Sequence, residues 1–418
     1  MKLMILNLAA LIGVVGVAAQ NSLGQSTPAA SPASSFSDDV KFLEDHGKKP
    51  IVLSDGNAMI AVSPALQGRV VTSTSGGNDG ASYGWINREL IASGEVREHI
   101  NAFGGEDRLW LGPEGGQFSI FFAPKAAFDL AHWFTPAPFD TEPFDLVSKS
   151  TDSVTLRKSF DLTNYSGTKF NVRVDRELRL LSTSKIWADL HLAPVAGVNV
   201  VGFESINRLT NAGTEPWKKE TGLLSLWSMG MFNASPAATI IVPIKPGSES
   251  ELGTPVTSDY FGTVPADRLT LKDNVVYFKA DAKYRSKIGV NPRRAKPIFG
   301  SYDSDKHVLT LIQYTLPEGT ADYVNSAWKM QDHPYAGDTV NSYNDGPPPT
   351  GGKQLGHFYE LESSSPGAAL APGKSIEHLH RTIHLQGDEA ALGKVSLATL
   401  GVRLSEFPKA EVSGAESR

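Results

Sequence analysis

Between Phe170 and Leu180 the apolar side chains fall on Phe170, Val172, Val174, Leu178 and Leu180, with Asn171, Arg173, Asp175, Glu177 and Arg179 between them. A period of two sends successive side chains to opposite faces of an extended backbone, so this stretch predicts a β-strand with one buried and one charged face. Apolar runs bounded by turn residues predict further strands at Ile51 to Leu53, Met59 to Val62, Gln117 to Phe122, Val154 to Leu162, Ile186 to Leu192 and Val198 to Leu209. The same signal recurs at Ala238 to Ile244, Val275 to Ala280, His307 to Tyr314 and Leu355 to Glu362. Two stretches predict helix, Asp38 to His46 and a second from Asp388, in the N-cap position, through Leu400.

Pro and Gly are scattered singly at turn spacing, and the longest cluster, Asp345 to Gly352, reads as a loop near the end of a sheet. No repeat at roughly 20–50 residue spacing marks a propeller or solenoid. A single open sheet of this many strands would leave its apolar face in water. Residues 38–407 are therefore expected to form one all-β domain, a large two-sheet β-sandwich with few short helices.

The ends of the chain change the picture of where this domain works. Lys2 followed by the apolar stretch Leu3 to Val17 and the small residues Val17-Ala18-Ala19 reads as a signal peptide over 1–19, with an uncleaved N-terminal anchor as the alternative. Residues 20–37, rich in Ser, Ala and Pro, read as a linker, and 408–418 as a flexible tail. A periplasmic or secreted protein without a membrane span in its mature chain is expected. With 39 basic and 45 acidic residues the net charge is −6, and removal of Lys2 makes it −7. No sustained basic run is present, so nucleic acid is not an expected partner. The absence of cysteine excludes disulfides, thiolate metal sites and cysteine nucleophiles.

Candidate chemistry gathers in a few segments. The loop Gly104 to Gly116 combines glycines, which let a backbone approach a ligand, with Trp110 as a flat apolar surface and Glu106, Asp107, Arg108 and Glu114 as hydrogen-bonding groups. The alternative is internal pairing of Arg108 with Glu106 or Asp107, the glycines serving only turns. Trp227 lies in a run of aromatic, sulfur-bearing and glycine residues that fits either a sugar-stacking wall or an inter-sheet core. Glu360 and Glu362, two apart on a strand, share a face, and two converging carboxyls raise one another's pKa; the alternative is a solvated sheet face. Among ten histidines, His132 beside Trp133 and Phe134 is the candidate acid, and His99 just before the Gly-rich loop a candidate ligand contact. His378, His380 and His384 alternate along one strand, without the acidic pattern of a metal site. Lys287, Arg293 and Arg294 form a local basic cluster that reads as a solvated loop, with an acidic sugar as the other reading. Neither a metal nor a cofactor is expected.

The segment Asn207-Arg208-Leu209-Thr210-Asn211-Ala212-Gly213, followed by a Trp-rich stretch, resembles the asparagine-rich turn ahead of the catalytic region in sugar mutarotases. Tyr359-Glu360-Leu361-Glu362 with Pro366 and Leu370-Ala371-Pro372-Gly373 resembles the segment carrying the mutarotase catalytic glutamate and the turn into the last strand. From about Asp38 to its end the chain is similar to an uncharacterised bacterial secreted branch of the galactose mutarotase-like superfamily. The resemblance implies a β-supersandwich and a saccharide as substrate or ligand. It also implies Glu362 as catalytic base with Glu360 beside it, Arg108 as substrate-binding arginine and Trp227 on the sugar cleft. A base removing the anomeric hydroxyl proton while an acid protonates the ring oxygen is the reaction implied. A glycan-binding protein of the same fold without catalysis is the alternative.

Overall fold

The computed structural model describes residues 34–319, 322–348 and 353–407. The expected signal peptide, most of the linker and the tail lie outside the described residues. Helix α1 (Phe36–Asp45) starts two residues ahead of the expected Asp38. Ser35 accepts from the Asp38 backbone N–H while the Asp38 carboxyl accepts from the Ser35 N–H, so two helix-start donors are satisfied together. Phe36 and Leu43 are buried beneath the helix, which places the last residues assigned to the linker inside the fold.

The chain continues through β1 (Ile51–Asp55), β2 (Ala58–Ser63), β3 (Arg69–Thr74), α2 (Arg88–Ser93) and β4 (Arg108–Gly112). Then come β5 (Asp145–Lys149), β6 (Ser153–Thr163), β7 (Lys169–Leu180), α3 (Thr183–Asp189), β8 (Asn199–Asn211), β9 (Ser225–Asn233), β10 (Ala238–Pro243) and α4 (Glu249–Leu252). The remainder is β11 (Leu269–Lys272), β12 (Val275–Lys279), β13 (Ser286–Val290), β14 (Ile298–Asp303), β15 (Val308–Tyr314), β16 (Val340–Asn344), β17 (Phe358–Ser364), β18 (Ser375–Gln386) and α5 (Glu389–Leu400).

Ten strands form one antiparallel sheet in the order β11-β12-β10-β14-β15-β18-β8-β7-β6-β5, and five form a second in the order β13-β16-β17-β9-β4. A third sheet, β1-β2-β3, is joined to the edge of the second by a bridge between Val70 and Asp107. The two-layer expectation therefore holds, with the smaller layer built from two sheets. Inner-face residues of both layers share one core: Val172, Val174 and Leu209 from the large sheet meet Leu109, Leu111 and Leu226 from the small one. Helices α3 and α5 cover part of the outer face of the large sheet through Ile186, Trp187, Leu392 and Val395. No helix among the described residues is long and apolar enough to cross a membrane.

β7 realises the period of two, burying its even positions along the whole strand. Its buried row includes Arg176, which pairs with Asp107 of the facing layer. Two expected strands are not strands. Gln117 to Phe122 is turn and bend, because Ser119 and Ile120 donate to the carbonyls of Gly116 and Pro113, although Phe121 and Phe122 are buried. The segment from Ile186 begins inside α3, where Ser182 caps the Lys185 N–H and Ile186, Trp187 and Leu190 form a helical apolar face. The stretch read as a Gly-rich loop contains β4, whose five residues are all buried.

Candidate functional site

The small sheet arranges one face by register. Lys287 of β13, Tyr343 of β16, Glu360 of β17 and Met231 of β9 lie in one cross-strand row. Asn341, Glu362, Met229 and Arg108 form the next, and Ser364, Trp227 and Trp110 a third. Since side chains in a row share a face, the arginine and tryptophan of β4 meet the two glutamates of β17 across β9. Gly289 stands in the second row, where a Cβ would come within 2.1 Å of Asp338 Oδ2 and 2.7 Å of the Tyr260 hydroxyl. The missing side chain is what admits the Tyr260–Asp338 pair to the rim.

The floor is a compact set of ion pairs. Arg108 Nη2 donates to Glu360 Oε1 at 2.6 Å, and its guanidinium carbon lies 4.4 Å from the Trp110 ring centroid. Glu362 Oε2 accepts from Lys287 Nζ at 3.0 Å and from Trp227 Nε1 at 2.9 Å, with the ammonium 4.6 Å from the Trp227 ring centroid. Exposure is 0% for Glu362, 4% for Arg108, 6% for Glu360 and 9% for Lys287, so the floor is almost dry. Glu114, Tyr260, Arg285, Trp328 and Asp338 are half-buried and form the rim. The Tyr260 hydroxyl donates to Asp338 and accepts from Asn341 Nδ2 at 3.1 Å.

Burial sets the proton inventory. It pushes the Glu360 carboxyl up to about 7, with Arg108 opposing and the neighbouring charge of Glu362 reinforcing the shift. Burial likewise raises Glu114, against the charge of Lys287, and takes Asp338 up to about 6. Lys287 goes above its ordinary value: burial disfavours its ammonium, but the charges of Glu362, Glu114 and Glu360 outweigh that. A buried carboxyl that holds its proton up to about 7, beside a second carboxyl and two fixed cations, is an arrangement that can serve proton transfer.

Of the residues singled out from sequence, Arg108, Trp110, Glu114, Trp227, Glu360 and Glu362 converge here. Arg108 pairs with Glu360, neither Glu106 nor Asp107 being its partner. Those two acids turn inward, Glu106 to His384 and Ser73, and Asp107 to Arg176 and Ser205. The tryptophans carry both readings at once, since Trp110 and Trp227 meet edge to face within the core cluster while their face borders the ion pairs. The histidines do not converge. His132 sits on the surface, half-exposed, with Nδ1 2.6 Å from Asp129 Oδ1. His99 holds the Trp133 carbonyl at 2.7 Å and stacks on Phe134. Both are fixed by local loop contacts.

His378, His380 and His384 lie buried between the layers. Ser363 bridges His378 Nε2 and His380 Nδ1 at 2.8 Å each, and burial lowers both imidazoles to about 3. No metal-binding cluster occurs among the described residues. Lys287 is the residue of this candidate site that sequence reading misplaced. Ser286-Lys287-Ile288-Gly289-Val290 is β13, in which Lys287 and Gly289 alternate with buried Ile288 and Val290, and that alternation was its available signal. Arg294 instead caps the carbonyls of Lys245, Gly247 and Gly253, apart from Lys287.

A hollow of about 540 Å³ lies elsewhere, between the β10–β12 end of the large sheet and α5. Two of its charged residues form internal pairs, Arg268 with Asp281 and Lys279 with Asp267. The carboxyl pair, not the size of a hollow, therefore locates the candidate site.

Among solved structures, a putative aldose 1-epimerase from Escherichia coli K12 is similar at 15% identity over 81% of this chain and 99% of its own, with a TM-score of 0.46. A galactose mutarotase-like protein from Lactobacillus casei ATCC 334 is similar at 12% identity over 81% of this chain and 100% of its own, TM-score 0.46. A protein from Synechocystis sp. PCC 6803 is similar at 11% identity over 81% and 96%, TM-score 0.48. No curated protein matches the chain by sequence. The family whose model spans residues 34–411 is described as one of unknown function, and the chain belongs to that family, DUF6786.

Proposed function

We propose that this protein acts on a saccharide by proton transfer between two carboxyls, with Glu362 as base and protonated Glu360 as acid. The observation that carries this reading is the pair itself: two glutamates on one face of β17, each held by its own cation, Arg108 for Glu360 and Lys287 for Glu362. Lys287 pairs with Glu362 at 3.0 Å, and burial raises Glu360 to about 7, so a substantial share of the protein carries the proton of the acid near neutral pH. At an anomeric centre Glu362 takes the hydroxyl proton as the bond from the anomeric carbon to the ring oxygen breaks, and Glu360 delivers its proton to that oxygen. The ring opens to the aldehyde, the terminal C–C bond rotates, and the two transfers run backwards on the other face. No net proton or electron is lost.

Glycan binding without turnover is the second reading, favoured by the complete burial of Glu362, since catalysis requires the carboxyls to meet the sugar. Polarimetry separates the two. The purified protein is expected to speed the optical-rotation change of freshly dissolved aldoses, and Glu362→Gln to slow it by about 100-fold or more. Saccharide binding in a calorimeter with no acceleration on any sugar tested selects the binding protein instead.

A further inference from the structure

The floor of the cleft is closed in this structure, with Glu362 at 0%, Glu360 at 6% and Lys287 at 9% exposure. A ligand reaches these groups only if something above them moves, and the two walls differ in what holds them. The wall carrying Trp328 is stapled by polar bonds. Gln331 donates its side-chain Nε2 to the carbonyls of Asn325 at 3.0 Å and Ala327 at 2.8 Å, and its backbone N–H to Gln117 Oε1 at 3.1 Å. The Ser326 hydroxyl accepts from the Glu114 N–H at 3.1 Å, and the Gly337 N–H donates to the Tyr323 carbonyl at 2.9 Å.

The opposite wall, between α4 and β11, is tied down at two points. Thr257 exchanges both backbone hydrogen bonds with Gly289 of β13 at 2.8 Å each, and Val264 is buried in the same core cluster as Ile288 and Val290. Between those anchors, over 258–263, a single backbone hydrogen bond occurs among the described residues, from the Gly262 N–H to the Asp259 carbonyl at 3.4 Å. Side chains hold this stretch over the floor. The Tyr260 hydroxyl sits between Asp338 and Asn341, and its ring centroid lies 5.9 Å from the Lys287 ammonium. Phe261, 37% exposed, meets Tyr343 edge to face at 5.9 Å and lies 4.9 Å from the Arg285 guanidinium. Gly262 has φ +96°, where a Cβ would meet nothing within 4 Å, so glycine supplies backbone freedom there and is not required by lack of room.

We propose that residues 258–263 form a gate over the carboxyl pair, latched by the Tyr260 hydroxyl on Asp338 and hinged between Thr257 and Val264, which swings clear to admit a ligand. The gate rests on the proton-transfer reading only in that a ligand has to meet Glu362; the motion belongs to the ligand-free protein. Opening breaks the Tyr260 and Phe261 contacts and leaves both sheets paired, so it costs far less than unfolding. The burial of Glu362 is then a property of the closed state.

Lys287 reports on the gate without any ligand. Full-length protein is pulsed with acetic anhydride, with and without urea below the unfolding transition, and acetylation of Lys287 and of the exposed Lys329 is read by peptide mass spectrometry. In the parent, Lys287 is expected to react at least about tenfold more slowly than Lys329, at a rate nearly independent of urea, because a local opening exposes little surface. Tyr260→Phe keeps the ring and removes the latch, and should speed Lys287 about tenfold with Lys329 unchanged, the order that one hydrogen bond to a charged group supports. Phe261→Ala, at a partly exposed position, should speed it several-fold and carries the test if Tyr260→Phe loses the circular dichroism of the parent. A Lys287 rate that rises with urea as steeply as global unfolding overturns the gate, because only opening of the whole sandwich then reaches the lysine. Parent-like rates in both variants overturn it as well, and so does a Lys287 as reactive as Lys329 in the parent. Acceleration of aldose mutarotation together with any of these three results leaves the proton-transfer reading standing and removes the gate. A working gate in a protein that turns over no sugar does the reverse.

Discussion

Glu360 and Glu362 are two residues apart on one strand, yet each is held by a different cation, Arg108 for Glu360 and Lys287 for Glu362. Burial raises Glu360 from 4.5 to about 7. The unfolded chain gives up that proton near 4.5, whereas the native protein keeps it until about 7, so the stability associated with it is fully present below 4.5 and is lost as pH rises through about 7. Unfolding free energy measured in urea should therefore fall between about pH 5 and pH 8, and fall less steeply in Glu360→Gln, which has nothing to titrate. Equal slopes in the two proteins would remove the raised carboxyl from the account. Catalysis by the pair should decline over the same interval as the acid is lost. Glu362 behaves differently: with 0% exposure and Lys287 at 3.0 Å, Glu362→Gln strands a buried ammonium. That variant should lose stability as well as activity, by about 3–5 kcal/mol in urea unfolding. Its kinetics are then to be read at a temperature where circular dichroism shows it folded.

At the scale of elements, strands declared themselves wherever a side-chain pattern was local, and concealed themselves wherever a partner strand supplied the reason. β7 was legible because its period of two is written in five apolar positions, and the helix at Glu389–Leu400 because Asp388 caps it. β4 read as a loop since glycines flank it and every one of its five residues is buried, leaving no polar face to alternate. Ile186 to Leu192 read as a strand because β-branched and aromatic residues are ambiguous over so short a stretch, and only the Ser182 cap and packing on the large sheet decide for helix. The site shows the same division. Glu360, Glu362 and Arg108 came from local motif and resemblance, while Lys287 reaches Glu362 from a strand about 75 positions away, and His132 lies at the surface beside Asp129. Arg176 interrupts the apolar row of β7 for a reason visible only in three dimensions, its pairing with Asp107 from the opposite layer, both at 0% exposure. Arg176→Met should destabilise the fold by about 3–5 kcal/mol by leaving Asp107 charged and alone, and adding Asp107→Asn should recover part of that loss. Additive losses in the double variant would mean that the two residues do not act as a pair.

Across the whole molecule, the cleft depends on strands drawn from distant parts of the chain: β4 and β9 bring Arg108, Trp110 and Trp227, while β13 and β17 bring Lys287 and the glutamates. Such a site exists only when the sandwich is closed, so its integrity follows global stability, and the N-terminal boundary is where that dependence is easiest to measure. Ser35 caps α1 through a reciprocal pair of hydrogen bonds, and Phe36 is 1% exposed. Asp39 is held from two sides, by Arg88 and by the Ser34 hydroxyl at 3.0 Å. A chain begun at Ser34 keeps the cap, the ring and the Ser34 contact; one begun at Asp38 loses all three. Loss of an N-cap costs about 0.5–2 kcal/mol. Loss of a buried phenylalanine side chain costs about 3–5 kcal/mol. The shorter protein should consequently unfold at clearly lower urea concentration than the longer one, with an unchanged m-value if the rest of the sandwich stays cooperative. Identical midpoints for the two truncations would return residues 34–37 to the linker, and α1 would then contribute nothing to holding the domain together.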